Sequence, residues 1–359
     1  MAKNRKAVLP FTLRRVPITK LVQIHMETHP DNLYKSFELQ YFDGEPHGRG
    51  YRVLAYRLDH YVDIYDSHDL KVVMEEHLNI VENGLGEYQR VAINNVALEY
   101  GKDGFYTHFE FIDKLGRNIE IHIKEHTNKE TTSMNLLAPL GCSAAKPDCF
   151  PMYLLYQYDF VRKHKTAIHV LINGVSMTLD PFPKFRVKNG QRREFIKYSM
   201  DAVLIDFAIA QKDTIEKVKL DDNYSYQEED TTYFFEEKDE EMGLIAIEYD
   251  DGAHQIKINF DRGLYLCGSY DMYVQGQITA NGRPDIGVIR GSYEYKRTRK
   301  RTILRIQPKD GWIPQTDGLL AKFMLGKRSV FRTWPETYRY TQAIEWDTMQ
   351  THSQWSRFD

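Results

Sequence analysis

The sequence predicts an all-β protein, built as two consecutive antiparallel barrels or strongly curved β-sandwiches over residues 31–185 and 186–345. Three observations carry that expectation. The chain holds 24 tyrosines and 18 phenylalanines among 359 residues, and with the β-branched residues these fall in short segments of apolar–polar alternation. Turn residues bound the segments, as at Asp103-Gly104 and Asp251-Gly252. Residues 98–113, "LEYGKDGFYTHFEFID", are echoed at 247–261, "IEYDDGAHQIKINFD". Each run sets an acidic residue and a tyrosine before an Asp-Gly turn, then an alternating strand ending in Asp. Two related β-domains would leave this pattern, and so would chance recurrence of Asp-Gly hairpins.

In chain order, strands are expected at 50–58, 60–66, 96–100, 105–111, 119–125, 152–161 and 167–172 in the first half. The second half adds 232–237, 244–249, 254–260, 271–279, 291–296 and 302–307. Residues 68–84 are ambiguous, because Leu70, Val73 and Met74 fit a helical stripe. Residues 203–218 read as one short helix or as a strand leading into a polar loop. The junction is expected near 179–193, where Pro181 and Pro183 interrupt pairing and Asn189-Gly190 favours a turn. The acidic run 219–241 reads as a solvated loop around one edge strand.

Composition narrows the function classes. Forty-eight Lys and Arg against 51 Asp and Glu give a net charge of -3, with no global pull toward nucleic acid or an anionic membrane. Cys142, Cys149 and Cys267 form neither a paired framework nor a CxxC knuckle, which fits a reducing, cytoplasmic location. The basic start is too soon interrupted by charge for a signal peptide, and no run approaches the length of a transmembrane helix. No phosphate-binding glycine loop is present, so no nucleotide cofactor is expected. Cys142 has no local histidine to mark it as a nucleophile. The stretch "YKRTRKRTILR", 295–305, places basic residues on both strand parities and reads as an exposed or salt-bridged strand.

The most chemically loaded stretch is "HFEFIDKLGRNIEIHIKEH", 108–126. Folded about its turn, it sets Phe109 against Ile121 and Phe111 against Ile119 on one face. On the other face His108 meets His122 and Glu110 meets Glu120. Two imidazoles and two carboxylates are competent to hold a divalent transition metal. They also suit the polar lining of a cavity, and the simplest reading is a solvated or internally bonded sheet face.

Two glycine-rich segments, "HVLINGVSMTLD" (169–180) and "YVQGQITANGRPDIGVIRGSYEYK" (273–296), read as walls in which glycine permits close backbone approach. His169, Asp180, Tyr273, Tyr293, Glu294 and Tyr295 are the polar groups they carry, with Asp271 two residues before the second segment, available for ligand contact or for interstrand packing. With these segments the chain resembles, over roughly residues 31–340, the two-domain lipocalin-like superfamily of carotenoid 1,2-hydratases (hydroxyneurosporene synthases) and AttH-like proteins. Met177 and Thr178 stand where that family often has a tryptophan near an aspartate. The resemblance implies two barrel-like domains, an apolar terpenoid- or lipid-like small molecule as ligand, and no cofactor. It points to Asp180 and Glu294 as the acid–base pair for hydration or isomerisation, with His122, His169, Asp271, Tyr273, Tyr293 and Tyr295 as substrate contacts. In such chemistry one carboxylic acid protonates an alkene, a second group activates water, and aromatic faces steady the positive charge. The alternative is a noncatalytic β-rich module that binds a partner, a peptide or a glycan.

Overall fold

The alternating segments fall in strands in a computed structural model of the chain, which describes residues 5–71, 82–127, 133–138, 144–162, 165–182, 193–283, 286–315, 325 and 332–358. Val73, Met74, Cys142 and the expected Asn189-Gly190 turn lie outside those residues. The described elements are strands almost throughout, with a 3-10 turn at Trp334–Thr337. No helix among them is long and apolar enough to cross a membrane.

Three large sheets result. The central one runs in the order Leu13–Val16, Asp201–Phe207, Phe150–Arg162, Arg193–Ser199, Ile18–His25, Tyr34–Gly44, Gly48–Arg57, Val62–Ser67 and Leu85–Val91. Its pairs are antiparallel except the last, which is parallel. Arg193–Phe207, beyond the expected cut at 185/186, thus belongs with strands of the N-terminal half. A five-stranded sheet, ordered Val175–Ser176, Thr166–Ile172, Asn118–Glu125, Gly104–Ile112 and Asn94–Gly101, packs on it. The C-terminal sheet is a meander from Ser225–Glu228 to Gln350–Arg357, closed off by Lys212–Thr214 beside the last strand. The segment 203–218 is therefore strand leading into loop and short strands, not helix. The acidic run carries a hairpin, Ser225–Glu228 with Thr231–Lys238, instead of a single edge strand.

None of these sheets closes into a barrel among the described residues: each hydrogen-bonded path is open, ending in short or partly exposed strands. What holds the sheets is face-to-face packing. Phe109, Phe111, Ile119 and Ile121 meet Val22, Ile24, Phe37 and Leu39 in one core. A second core joins the central and C-terminal sheets. Phe11 sits at that joint, its ring 5.2 Å from Phe207, 5.9 Å from Phe260 and 5.8 Å from Tyr340. The successive residues Leu21 and Val22, and Phe160 and Val161, divide between the two cores, so the central sheet is buried on both faces there. Side chains fill the space that a closed barrel would leave as a lumen.

One polar tie crosses the second joint. His254, in the turn after the strand Glu241–Asp250, places Nε2 2.7 Å from Asp201 Oδ1 of the central sheet and Nδ1 3.1 Å from Asp251 Oδ2. The hydrogen bond to Asp201 raises the imidazole above its usual pKa of 6.5. The stabilisation is therefore complete below pH 6.5 and fades as pH rises through the raised value of the folded state. Burial pushes Asp251 up, but hydrogen bonds from His254 and Tyr249 outweigh it and hold the carboxyl at about 2, so it does not titrate in that range. His254→Gln is expected to flatten the decline in melting temperature between pH 6.5 and alkaline pH. A wild-type minus variant difference that stays constant with pH would refute the assignment.

Candidate functional site

The hairpin register is the one its sequence implies: His108 pairs with His122, Glu110 with Glu120, Phe109 with Ile121 and Phe111 with Ile119. The phenylalanines and isoleucines are buried, which fixes the register, since a slip by one residue would expose all four. The next strand extends the polar row, because His169 pairs with His122. The rings of His108 and His122 lie 5.2 Å apart, and those of His122 and His169 are stacked at 6.0 Å. Partial burial, then the neighbouring His108, His169 and Lys124, push the His122 pKa down and keep its imidazole neutral. Donor atoms of His108, Glu110 and Glu120 all lie within 4.8 Å of one another.

Asp180 and Glu294 do not come together. Asp180 is buried at the strand ends of the central sheet, beside His25 and Phe195, where its carboxylate accepts the N–H groups of Glu27 at 2.9 Å and Thr28 at 2.8 Å. Burial raises its carboxyl, yet the hydrogen bonds from Thr28 and Glu27, with His25 nearby, bring it below the ordinary value. It clamps a turn. Glu294 is on the outer face of the C-terminal sheet, 3.0 Å from Arg305 Nη1 and 2.9 Å from the Tyr273 hydroxyl, which donates to it. The Arg305 hydrogen bond first, then that of Tyr273, lowers its pKa. Both carboxyls are thus ionised at neutral pH, the opposite of what a proton donor to an alkene needs.

The other expected contacts divide likewise. Tyr293 and Tyr295 are core residues; the Tyr293 hydroxyl accepts from Arg262 N at 3.2 Å and reaches Asp261 at 3.3 Å. Asp271 and His169 are exposed. The basic stretch is largely paired within the chain, with Arg297 on Glu241 at 2.6 Å and Arg301 on Glu345 at 2.8 Å.

Glu294 and Tyr293 instead line an open groove of about 700 Å³ on the C-terminal sheet. Its geometry follows from the strands. Gln275, Glu294, Arg305 and Thr341 form one row across four neighbours, and Gln277, Ser292 and Gln307 form the next. Side chains of equal parity project together, so two polar rows share a face. At the groove's end Gln255–Leu264 parts from its neighbour after the pair Phe260–Ile278. The Asp261 carboxylate replaces the lost main-chain acceptor, taking Gln277 N at 2.7 Å. Tyr273 stands beside the groove, 60% exposed. Gln275, Gln277 and Gln307 were not singled out from the sequence, although the parity of Gln275 and Gln277 with Tyr273, and of Gln307 with Arg305, was readable within each strand.

Fold and groove together define a class: an all-β protein of packed antiparallel sheets with a polar groove on an outer sheet face. Compared with protein-family models, curated proteins and solved structures, the chain matches none.

Proposed function

We propose that the protein is a β-sheet binding module that holds a hydroxyl-rich ligand of glycan type in the groove on its C-terminal sheet. The observation that carries this reading is the pair of polar rows, amides and hydroxyls held on four strands beside an exposed tyrosine ring. Amide groups both donate and accept, as sugar hydroxyls do. The Tyr273 ring, oriented by its bond to Glu294, offers a flat apolar surface for the C–H face of a sugar. A peptide is the poorer fit. An extended peptide is recognised through main-chain hydrogen bonds at a sheet edge, whereas this groove crosses strands whose main chains are already paired. Hydration of an apolar molecule would require Asp180 and Glu294 to face one substrate, and the groove that Glu294 lines is polar.

Glycan-array screening followed by calorimetric titration tests the proposal. Tyr273→Ala and Gln275→Ala each remove a contact worth about 1 kcal/mol, so each should weaken binding several-fold, with the melting temperature unchanged. The reading fails if no glycan is retained, or if a retained glycan binds both variants as tightly as the native chain.

A further inference from the structure

We propose that the outer face of the five-stranded sheet binds a divalent transition-metal ion through His108, Glu110 and Glu120, a site separate from the groove. The three residues sit at adjacent positions of one antiparallel pair, Gly104–Ile112 with Asn118–Glu125, whose register the buried face fixes. Their side chains therefore start from well-defined strand positions rather than from loops.

The distances suit one ion. In a tetrahedral shell with bonds of roughly 2.0–2.2 Å the donors stand about 3.3–3.6 Å apart, so a set already within 4.8 Å closes by side-chain movements of up to about 1 Å. His108 Nε2 lies 3.0 Å from Glu110 Oε1, yet it is shielded from solvent and has no hydrogen-bond partner. A shielded ring nitrogen beside a carboxylate, without the geometry of a hydrogen bond, is placed as two ligands of one cation are placed. Such an unsatisfied polar atom calls for an occupant.

The surroundings fit as well. Asn95 Nδ2 donates to Glu110 Oε1 at 3.0 Å, the kind of outer contact that orients a ligating carboxylate. His122 stands across from His108 but lies outside the set of three donors, so water would complete the shell. An imidazole with two carboxylates selects the zinc-like class over magnesium or calcium, which prefer all-oxygen shells. The sheet is half-exposed on this face, so the ion would enter directly from solution.

The test is calorimetric titration of the full chain with Zn²⁺ alone, backed by the visible spectrum of the Co²⁺-loaded protein. The expected result is one ion per chain, with affinity reduced about tenfold or more in His108→Gln and in Glu120→Gln, and retained in His169→Gln. The Co²⁺ band should vanish in the same two variants. Both substitutions lie on the solvent side of a sheet whose inner face is untouched, and an unchanged melting temperature will show that each variant is folded. Absence of Zn²⁺ binding by the native chain would overturn the proposal. So would affinity lost in His169→Gln but kept in Glu120→Gln, since the ion would then sit on the stacked His122–His169 pair.

Discussion

Replacing Glu125 by alanine is expected to cost about 3–5 kcal/mol of stability, the usual effect of removing one member of a buried ion pair. Glu125 and Arg162 are 0% and 1% exposed. One carboxylate oxygen accepts Arg162 N at 2.6 Å and Nε at 3.2 Å; the other accepts Arg162 Nη2 at 3.1 Å and Phe105 N at 2.8 Å. Alanine would remove the Glu125 carboxylate from beside a desolvated guanidinium and strand the Phe105 amide. Gly104 belongs to the same arrangement, since its φ is +102° and a Cβ there would overlap the Glu125 carboxylate. Gly104→Ala should therefore destabilise the native chain strongly and the Glu125→Ala chain less, a non-additivity expected of residues in contact. Urea-unfolding midpoints of the four proteins decide it. A Glu125→Ala loss below about 1 kcal/mol would show that the pair does not hold the five-stranded sheet to the central one, and strict additivity would show that Gly104 is not kept for the Glu125 carboxylate.

That hairpin was legible in the sequence because its two faces differ in kind: phenylalanine and isoleucine alternate with histidine and glutamate, and one register satisfies all of them. Two strands at the middle of the central sheet were not, although Gly48–Arg57, Val62–Ser67 and Phe150–Arg162 of the same sheet were. Ile18–His25 and Tyr34–Gly44 are buried on both faces and carry Gln23, Glu38 and Gln40 inside, so neither period-two alternation nor hydrophobicity marks them. Burial of Glu38 raises its carboxyl, against hydrogen bonds from Gln40 and Tyr56, which is how a strand with an acid at its centre can still be core. The last strand, Gln350–Arg357, alternates in burial, but two of its three inward residues are Thr351 and Ser353, which look like surface.

The candidate site was half legible for a related reason. Parity within a strand places Tyr273, Gln275 and Gln277 on one face and Ser292 and Glu294 on one face. Which strands stand side by side is a property of the whole sheet. The groove rows exist because the meander brings Arg301–Ile313 and Tyr338–Glu345 beside Val288–Arg297. Pairing Glu294 with Asp180 instead joined two motifs that the fold holds in different sheets.

The glycines of the segment 273–296 make the second large prediction. Read from sequence as points of close backbone approach, they are so in the fold: a Cβ on Gly291 would come 2.7 Å from the Gln307 carbonyl oxygen, 3.0 Å from Pro308 Cα and 2.9 Å from Ile278 Cγ2. Two of those atoms are main chain and cannot swing aside, so Gly291→Val must push apart the two strands that carry Glu294 and Arg305. The expected cost is about 3 kcal/mol, the upper part of the usual range for overpacking. Gly101→Ala is the matched contrast, because nothing lies within 4 Å of its Cβ and its φ is not positive. It should be neutral or stabilise by roughly 0.4–1 kcal/mol, through the less flexible unfolded chain. If the two substitutions cost the same, close approach would not be the reason for glycine at 291. If Gly291→Val is destabilising while Tyr273→Ala leaves the fold intact and only ligand retention falls, then the sheet that shapes the groove and the side chains that read a ligand are separable. A binding face built on a preformed scaffold requires that separation.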